Sequence, residues 1–393
     1  MFKNLKYSII YFLYLPSDSS AQTQHEKVQN FIQELNTFNI KFETLTDNWK
    51  LIPMKKMTMK KQYEVESLIH LVDDVLQGSE TEIIDFGCGL GNFCLRLFEK
   101  FGYTSLGIDC ADMVQKAKER QQKYFPKSIG KVKFVQHFLN AKDSGEFILS
   151  HIDDDSKPLT FFGLHGCGDL TVTSIKLFLN VSRVKKLIFL PCCYHKMSRS
   201  VSSQDSDIFN LFPLSSELTK ILKNYPNFLN RPFLRLAGQQ SPAKFKDMSV
   251  EDHWIHGKNM MERALVESLL SKDETAKRVN SFNIPENRVT FDDIEMKYQL
   301  LDQSCLPKDW TKMHRQRFEE IRAKFPDGEE MSEKLFCLQT MLQSNSESLV
   351  LIDRIRFIEE EAKRMNLELK VSVKKLQNDK LSPRCIILIV EKL

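Results

Sequence analysis

No two cysteines in this chain are spaced Cys-x-x-Cys, so a preformed zinc finger has no support in the sequence. The nine cysteines are an odd number, spread from Cys88 to Cys385, and several sit inside apolar strand-like runs. That pattern excludes a disulfide framework and a disulfide-linked partner. It fits packed thiols in a reducing compartment, cytoplasmic or nuclear. Long hydrophobic runs are missing as well. The opening MFKNLKYSIIYFLYLP carries lysines ahead of an apolar run, as a secretory signal does, but the run is too short to span a bilayer. The free thiols argue against secretion, and a buried terminal segment is the plainer reading. No later run approaches a membrane helix, so no membrane contact is expected. Nor is either charge in excess: 56 basic and 52 acidic residues leave a formal +4, too balanced for composition alone to announce a nucleic-acid binder. The basic clusters MKKMTMKK (54–61) and SRVKK (182–186) read as solvated surface and leave RNA open. No internal repeat is present, and a monomer is expected.

What the chain does have is material for a core, 42% hydrophobic residues over 393 positions. Apolar residues recur at helical intervals in VQNFIQELNTF and EVESLIHLVDDVL, which predicts a helical lead-in over residues 1–78. TEIIDF (81–86), SLGID (105–109), KVKFVQHFLN (131–140), LTFFGL (159–164) and LIFL (187–190) then read as five strands. Helical stretches such as FCLRLFEKF, ADMVQKAKERQQKYF and TVTSIKLFLN lie between them. Alternating strands and helices imply parallel pairing through right-handed crossovers, an α/β doubly wound sheet. Residues 79–196 would form its cofactor-binding half. Residues 197–364 read as a mainly helical, substrate-side insertion that roofs the cleft, and LELKVSVKKL with CIILIVEKL as a terminal antiparallel ribbon over 365–393.

GCGLGN (87–92) follows the first strand directly. Glycines there let a ligand approach the backbone at the amino end of the next helix. The loop lacks the Walker pattern. Asp85, just ahead of Gly87, could accept from a ligand ammonium group. Asp109, closing the second strand, could grip a ribose diol. Dinucleotide enzymes share that acid but space their glycines G-x-G-x-x-G, so Gly87, Gly89 and Gly91 with Asn92 favour S-adenosylmethionine over NAD. Cys88 and Cys110 would flank the same rim as structural thiols. Asn140, after the third strand, is a candidate adenine-side contact.

These segments resemble a family, the class I methyltransferases grouped around methyltransferase-like protein 25. The shared motifs are MKKQYEV (59–65), IIDFGCGLGNF (83–93), LGID (106–109), FGLHGCGDL (162–170), PCCYHKM (191–197), LIDR (351–354) and LSPRCIILIVEK (381–392). The resemblance implies a seven-stranded, Rossmann-like class I methyltransferase sheet with a helical insertion between strands five and six. It also implies S-adenosyl-L-methionine as cofactor, methyl transfer, and Lys61 of MKKQYEV among the cofactor-side residues; the acceptor, expected to be protein or RNA, is read instead from the helical roof supplied within the chain. The chain is similar, more distantly, to transfer-RNA ribose methyltransferases with a Cys-Cys-His-rich turn after strand five. Here the turn reads Cys-Cys-Tyr-His, so ribose chemistry is not carried over.

Methyl transfer asks the protein to align an acceptor and, for a hydroxyl or protonated nitrogen, to remove a proton. HGCGDL and PCCYHK fall at the carboxyl ends of the fourth and fifth strands, where an open α/β sheet binds its ligands. His165 or His195 is the expected base, Asp169 the orienting carboxylate and Tyr194 an acceptor contact. No metal is expected, because adjacent Cys192 and Cys193 should not point to one tetrahedral centre. The Asn-Pro-Pro-Tyr acceptor motif is absent, which keeps a noncatalytic S-adenosylmethionine-, RNA- or protein-binding module as the alternative.

Overall fold

The computed structural model describes residues 29–51, 57–200, 209–225, 228–238, 243, 245, 247–281 and 288–393. The amino-terminal run, read as a buried segment rather than a secretory signal, and part of the basic cluster 54–61 lie outside them. The described residues divide into two compact units, one lying within 35–241 and 342–393, the other within 29–34 and 242–341.

The first unit is built on one sheet. Its strands are β1 (Glu43–Thr44), β2 (Glu82–Phe86), β3 (Ser105–Asp109), β4 (Val132–Gln136), β5 (Leu159–Gly166), β6 (Val184–Pro191), β10 (Leu369–Lys375) and β11 (Ile386–Lys392). The order across the sheet is β1-β10-β11-β6-β5-β2-β3-β4. Strands β2 to β6 pair in parallel, and β11 inserts antiparallel between β6 and β10. The expected seven strands are all present. The sheet nevertheless has eight, because two residues of the lead-in, Glu43 and Thr44, pair with Lys374 and Lys375 and extend the edge.

Successive strand residues point to opposite faces, and both faces are buried. Ile83, Phe162, Ile188 and Ile389 pack on one side with Leu68, Ile69 and Val72 of α1 (Met59–Leu76) and Phe93, Leu95 and Leu97 of α2 (Asn92–Phe101). Val114 and Ala117 of α3 (Met113–Tyr124) join them. Their strand neighbours Ile84, Phe161, Leu187 and Leu388 pack on the other side. There they meet Ile148 of α4 (Ser144–Leu149), Ile175 and Phe178 of α5 (Leu170–Asn180) and Ile358 of a long carboxyl-terminal helix. Burial on both faces is why these strands read as continuous apolar runs. Two short helices, α6 (Ser216–Leu222) and α7 (Arg231–Ala237), follow β6 within this unit.

The second unit holds α8 (Val250–Leu269), β7 (Glu274–Arg278), α9 (Phe291–Lys297), β8 (Tyr298–Asp302), β9 (Pro307–Lys308) and α10 (Lys312–Lys324). The long helix, α11 (Gly328–Met365), begins here. Its apolar cluster includes Met261, Leu265, Phe291, Ile294 and Phe318. Beside it the buried Glu262 takes a 2.6 Å ion pair from Lys297 and a 3.0 Å hydrogen bond from the Tyr298 hydroxyl. Helical periodicity dominates this stretch, as expected. It also contains an antiparallel three-stranded sheet, β7-β8-β9, whose strands of five and two residues are too short and charged to leave a strand signature.

Part of the basic sequence is spent internally. Arg183 binds Asp155 and the carbonyls of Asp154 and Lys157, and Lys186 binds Glu391 and the Val75 carbonyl. Two cations of SRVKK therefore serve the fold.

Candidate functional site

The turn from β2 into α2 is a backbone cradle. Gly87, Gly89 and Gly91 all hold positive φ, +76°, +54° and +69°, a region that costs other L-residues steric energy. Gly91 is doubly constrained, since a Cβ there would lie 2.3 Å from the Phe134 ring. Above Gly89 the space is open, with no heavy atom within 4 Å of the position a Cβ would take. A ligand can therefore rest on the main chain there. Asp109, at the end of β3, accepts from the Gly89 N–H at 2.9 Å and the Ala111 N–H at 3.0 Å. It ties the cradle to the neighbouring strand, and its oxygens retain acceptor capacity for a diol.

Asp85 is buried beside the cradle and accepts from the Cys94 thiol at 3.2 Å. Burial lifts its carboxyl up to about 7, against the pull of the Cys94 hydrogen bond and the positive charge of Lys61. Lys61 stands in the first turn of α1, where its N–H meets the capping Thr58 hydroxyl. A ligand ammonium group would relieve the desolvation that holds Asp85 up. The side-chain oxygen of Asn92 is buried without a hydrogen-bond partner, an acceptor waiting for a donor. Cys88 is buried, and that burial pushes its thiol well up, which suits a packing role, while Cys110 is exposed. Asn140 spends its side-chain oxygen on the Lys142 and Asp143 N–H groups at 3.0 and 2.8 Å, shaping the entry to α4.

The second half of the site lies at the carboxyl ends of β5 and β6. Leu164 pairs with Leu190 and Gly166 with Pro191, so His165 is an extra residue between two ladder positions. Its φ is +64°. A bulge with this geometry re-aims a side chain, and a non-glycine residue in it stores strain. The His165 ring is turned to α1, where Nε2 meets Glu64 Oε2 at 3.0 Å. Glu64 is buried and also accepts from the Ser382 hydroxyl at 2.6 Å. Burial alone would raise its carboxyl, but His165, Ser382 and Lys60 hold it below the usual range. Sequence reasoning missed Glu64. It stands inside the quoted MKKQYEV, and its signal was an acidic residue on the buried face of an amphipathic helix.

Three rim expectations change. Asp169 does not orient a histidine; both its oxygens accept from the Ser198 N–H, at 3.1 and 3.2 Å, which pins the turn after β6 to the start of α5. Tyr194 does not face the rim. It is buried among Met197, Phe212, Leu234 and Val350, and its hydroxyl donates to Glu347 Oε1 at 3.1 Å. Glu347 is half-buried, and desolvation lifts its carboxyl up to about 7 despite hydrogen bonds from Gln343 and Tyr194. Tyr194→Phe should therefore cost about 0.5–1.5 kcal/mol by removing a hydrogen bond to a half-buried carboxylate. The expected reading is a lower urea midpoint with an unchanged denaturant slope.

Third, Cys192 and Cys193 do converge. Their sulfurs and that of Cys167 all lie within 4.8 Å of one another, with Cys167 and Cys192 at 3.0 Å. Beyond Pro191 the chain leaves the strand, and Cys193 takes φ −48° and ψ 64°, close to an inverse γ-turn. Strand alternation no longer separates the neighbouring side chains. Hydrogen bonding to Cys192 and Cys193 holds the Cys167 thiol below its ordinary range, while the same Cys167 contact and burial push Cys192 up. His195 is partly buried, and its Nδ1 is buried without a partner. Burial first, then the charges of Arg235, Lys196, Arg384 and Arg231, hold its imidazole below the ordinary value. All nine cysteines are free, and among the described residues no helix is long and apolar enough to cross a membrane.

Residues 60–200 match a family model described as a methyltransferase domain. A curated relative, the probable methyltransferase-like protein 25 of Mus musculus, is 34% identical over 59 residues, 15% of this chain. The match spans 10% of that protein's length. Among solved structures, TrmK of M. capricolum, bound to S-adenosylhomocysteine, is 13% identical with a TM-score of 0.25, covering 31% of this chain and 50% of its own. Magnesium protoporphyrin IX methyltransferase of Synechocystis, also with S-adenosylhomocysteine, is 16% identical with a TM-score of 0.26, covering 44% and 70%. At scores this low these likenesses add nothing to the assignment. Strand order, the glycine cradle and the match over residues 60–200 together give this chain a class I, Rossmann-like methyltransferase fold.

Proposed function

We propose that this chain belongs with the methyltransferase-like protein 25 group and transfers a methyl group from S-adenosylmethionine to a protein or RNA acceptor. The observation that carries the reading is the cradle itself: three left-handed glycines at the carboxyl end of β2, laced by the Gly89 N–H to Asp109 at the end of β3. The group identity is supported by the motifs from MKKQYEV to LSPRCIILIVEK and by the short relative match.

Asp109 and the Gly89 backbone would hold the ribose side of the cofactor, and Asp85 with Asn92 its amino-acid end. Bound there, S-adenosylmethionine supplies a methyl made electrophilic by the neighbouring sulfonium. The chain's own residues align the acceptor and manage its proton. His165 stands on the bulge at the end of the strand next to β2, its ring fixed by Glu64. We assign it the proton of a hydroxyl or protonated nitrogen acceptor. Glu64 positions the ring and balances the positive charge that results. The second histidine, His195, lies in the turn after β6, its uncharged form favoured first by burial and then by the surrounding cations. A cytoplasmic or nuclear setting is proposed with this reading.

The test is transfer of label. Cell extract depleted of the protein is incubated with the pure chain and methyl-labelled S-adenosylmethionine, then separated into RNA, protein and small molecules. Label in RNA or in a discrete polypeptide is the expected result. Label in none of the three fractions would leave a binding module that kept the fold without the reaction.

A further inference from the structure

We infer that Cys167, Cys192 and Cys193 form a binding site for a thiophilic divalent cation, with zinc the expected one. One sulfur comes from the turn after β5 and two from the turn after β6, yet all three share a space within 4.8 Å. Around a tetrahedral zinc with Zn–S bonds of about 2.3 Å, neighbouring sulfurs stand roughly 3.8 Å apart. The cluster brackets that spacing, from the 3.0 Å of Cys167 and Cys192 to the outer limit of 4.8 Å. Small side-chain rotations complete it.

The two turns are built to stay together. The Gly168 N–H donates to the Cys193 carbonyl at 3.3 Å, and the Lys196 N–H reaches the same carbonyl at 2.9 Å. Gly168 holds φ +56°, and a Cβ there would lie 2.8 Å from the Lys196 carbonyl oxygen. Glycine is thus what lets one turn press against the other. A simple redox pair would account for Cys167 and Cys192 but not for the third thiol folded in beside them. Soft thiolates in this number select zinc among the common divalent ions. Three protein ligands leave a fourth position, as in zinc sites that bind water or a substrate atom rather than purely structural ones. Cys167 and Cys193 are partly exposed, so an ion has a way in.

The inference does not depend on the methyl-transfer reading, because metal and cofactor are titrated separately. The full untagged chain, purified under reducing conditions, is equilibrated with Zn2+ alone, gel filtered and assayed for metal. A parallel sample is loaded with Co2+ and read for thiolate-to-cobalt charge transfer in the near ultraviolet. One retained zinc per chain is expected. Cys167→Ser and Cys193→Ser, at partly exposed positions that should fold, are expected to weaken zinc by at least about tenfold and to dim the cobalt band. Gly168→Ala should weaken it too, by parting the turns without removing a sulfur. Absence of stoichiometric zinc, zinc retained undiminished in the Cys167→Ser, Cys193→Ser double variant, or ready formation of a Cys167–Cys192 disulfide in chain already equilibrated with zinc would each overturn the site.

Discussion

Asp109→Ala is expected to weaken binding of S-adenosylmethionine by about 10²-fold or more in a chain that still folds. Hydrogen bonds to a charged group contribute about 1.5–3 kcal/mol each, and a ribose diol gripped by one carboxylate would make two. The loss of half that sum is about one to two decades in affinity and the loss of all of it about two to four. The same substitution releases the Gly89 N–H, which Asp109 holds at 2.9 Å, so the cradle also loses its tie to β3. Asp109→Asn keeps an acceptor for that N–H and should lose roughly tenfold. Equilibrium dialysis with labelled cofactor separates the two. Equal affinity in wild type and Asp109→Ala would remove the acid from the site.

His165→Ala is expected to lower turnover by ~10²–10⁴-fold, the range for removal of a general base, while cofactor affinity stays near that of the wild type. Glu64→Gln should lower kcat and leave KM nearly unchanged, because it acts through the His165 ring and touches no substrate. Glu64→Asp should restore part of the rate by returning the charge, an outcome a merely structural Glu64 would not give. Since Glu64 also accepts from Ser382 at 2.6 Å, the folding stability of each variant is measured alongside. Full activity in His165→Ala would transfer the proton to another group, with His195 the next to be replaced.

The sheet was legible because its strands are buried on both faces and so read as unbroken apolar runs, from EIIDF to IILIVEK. The cradle was legible for a related reason, since only glycines fill three left-handed positions in so short a loop. The rim was harder. His165 sits on a bulge set by how β5 registers with β6, and registers are properties of pairs of strands. Glu64 looked like one more polar residue of an amphipathic helix until the fold carried His165 across to it. Tyr194 was read by its chemistry as an acceptor contact, yet helix α11, far along the chain, supplies a half-buried carboxylate that consumes its hydroxyl. The three sulfurs were discounted on strand alternation, which fails once the chain turns at Cys193. For His165, Glu64 and Tyr194 the deciding partner is distant in sequence, and for the sulfurs it is a turn that strand alternation does not anticipate.

The central claim is that the loop from Gly87 to Asn92, with Asp85 and Asp109, binds S-adenosylmethionine and its demethylated product through their shared nucleoside and amino-acid ends. Calorimetric titration of the full chain with S-adenosylhomocysteine tests it without knowledge of the acceptor. Saturable binding of one equivalent per chain, sharply weakened in Asp109→Ala, is the result expected. A folded wild-type chain that shows no saturable binding with millimolar ligand would contradict it.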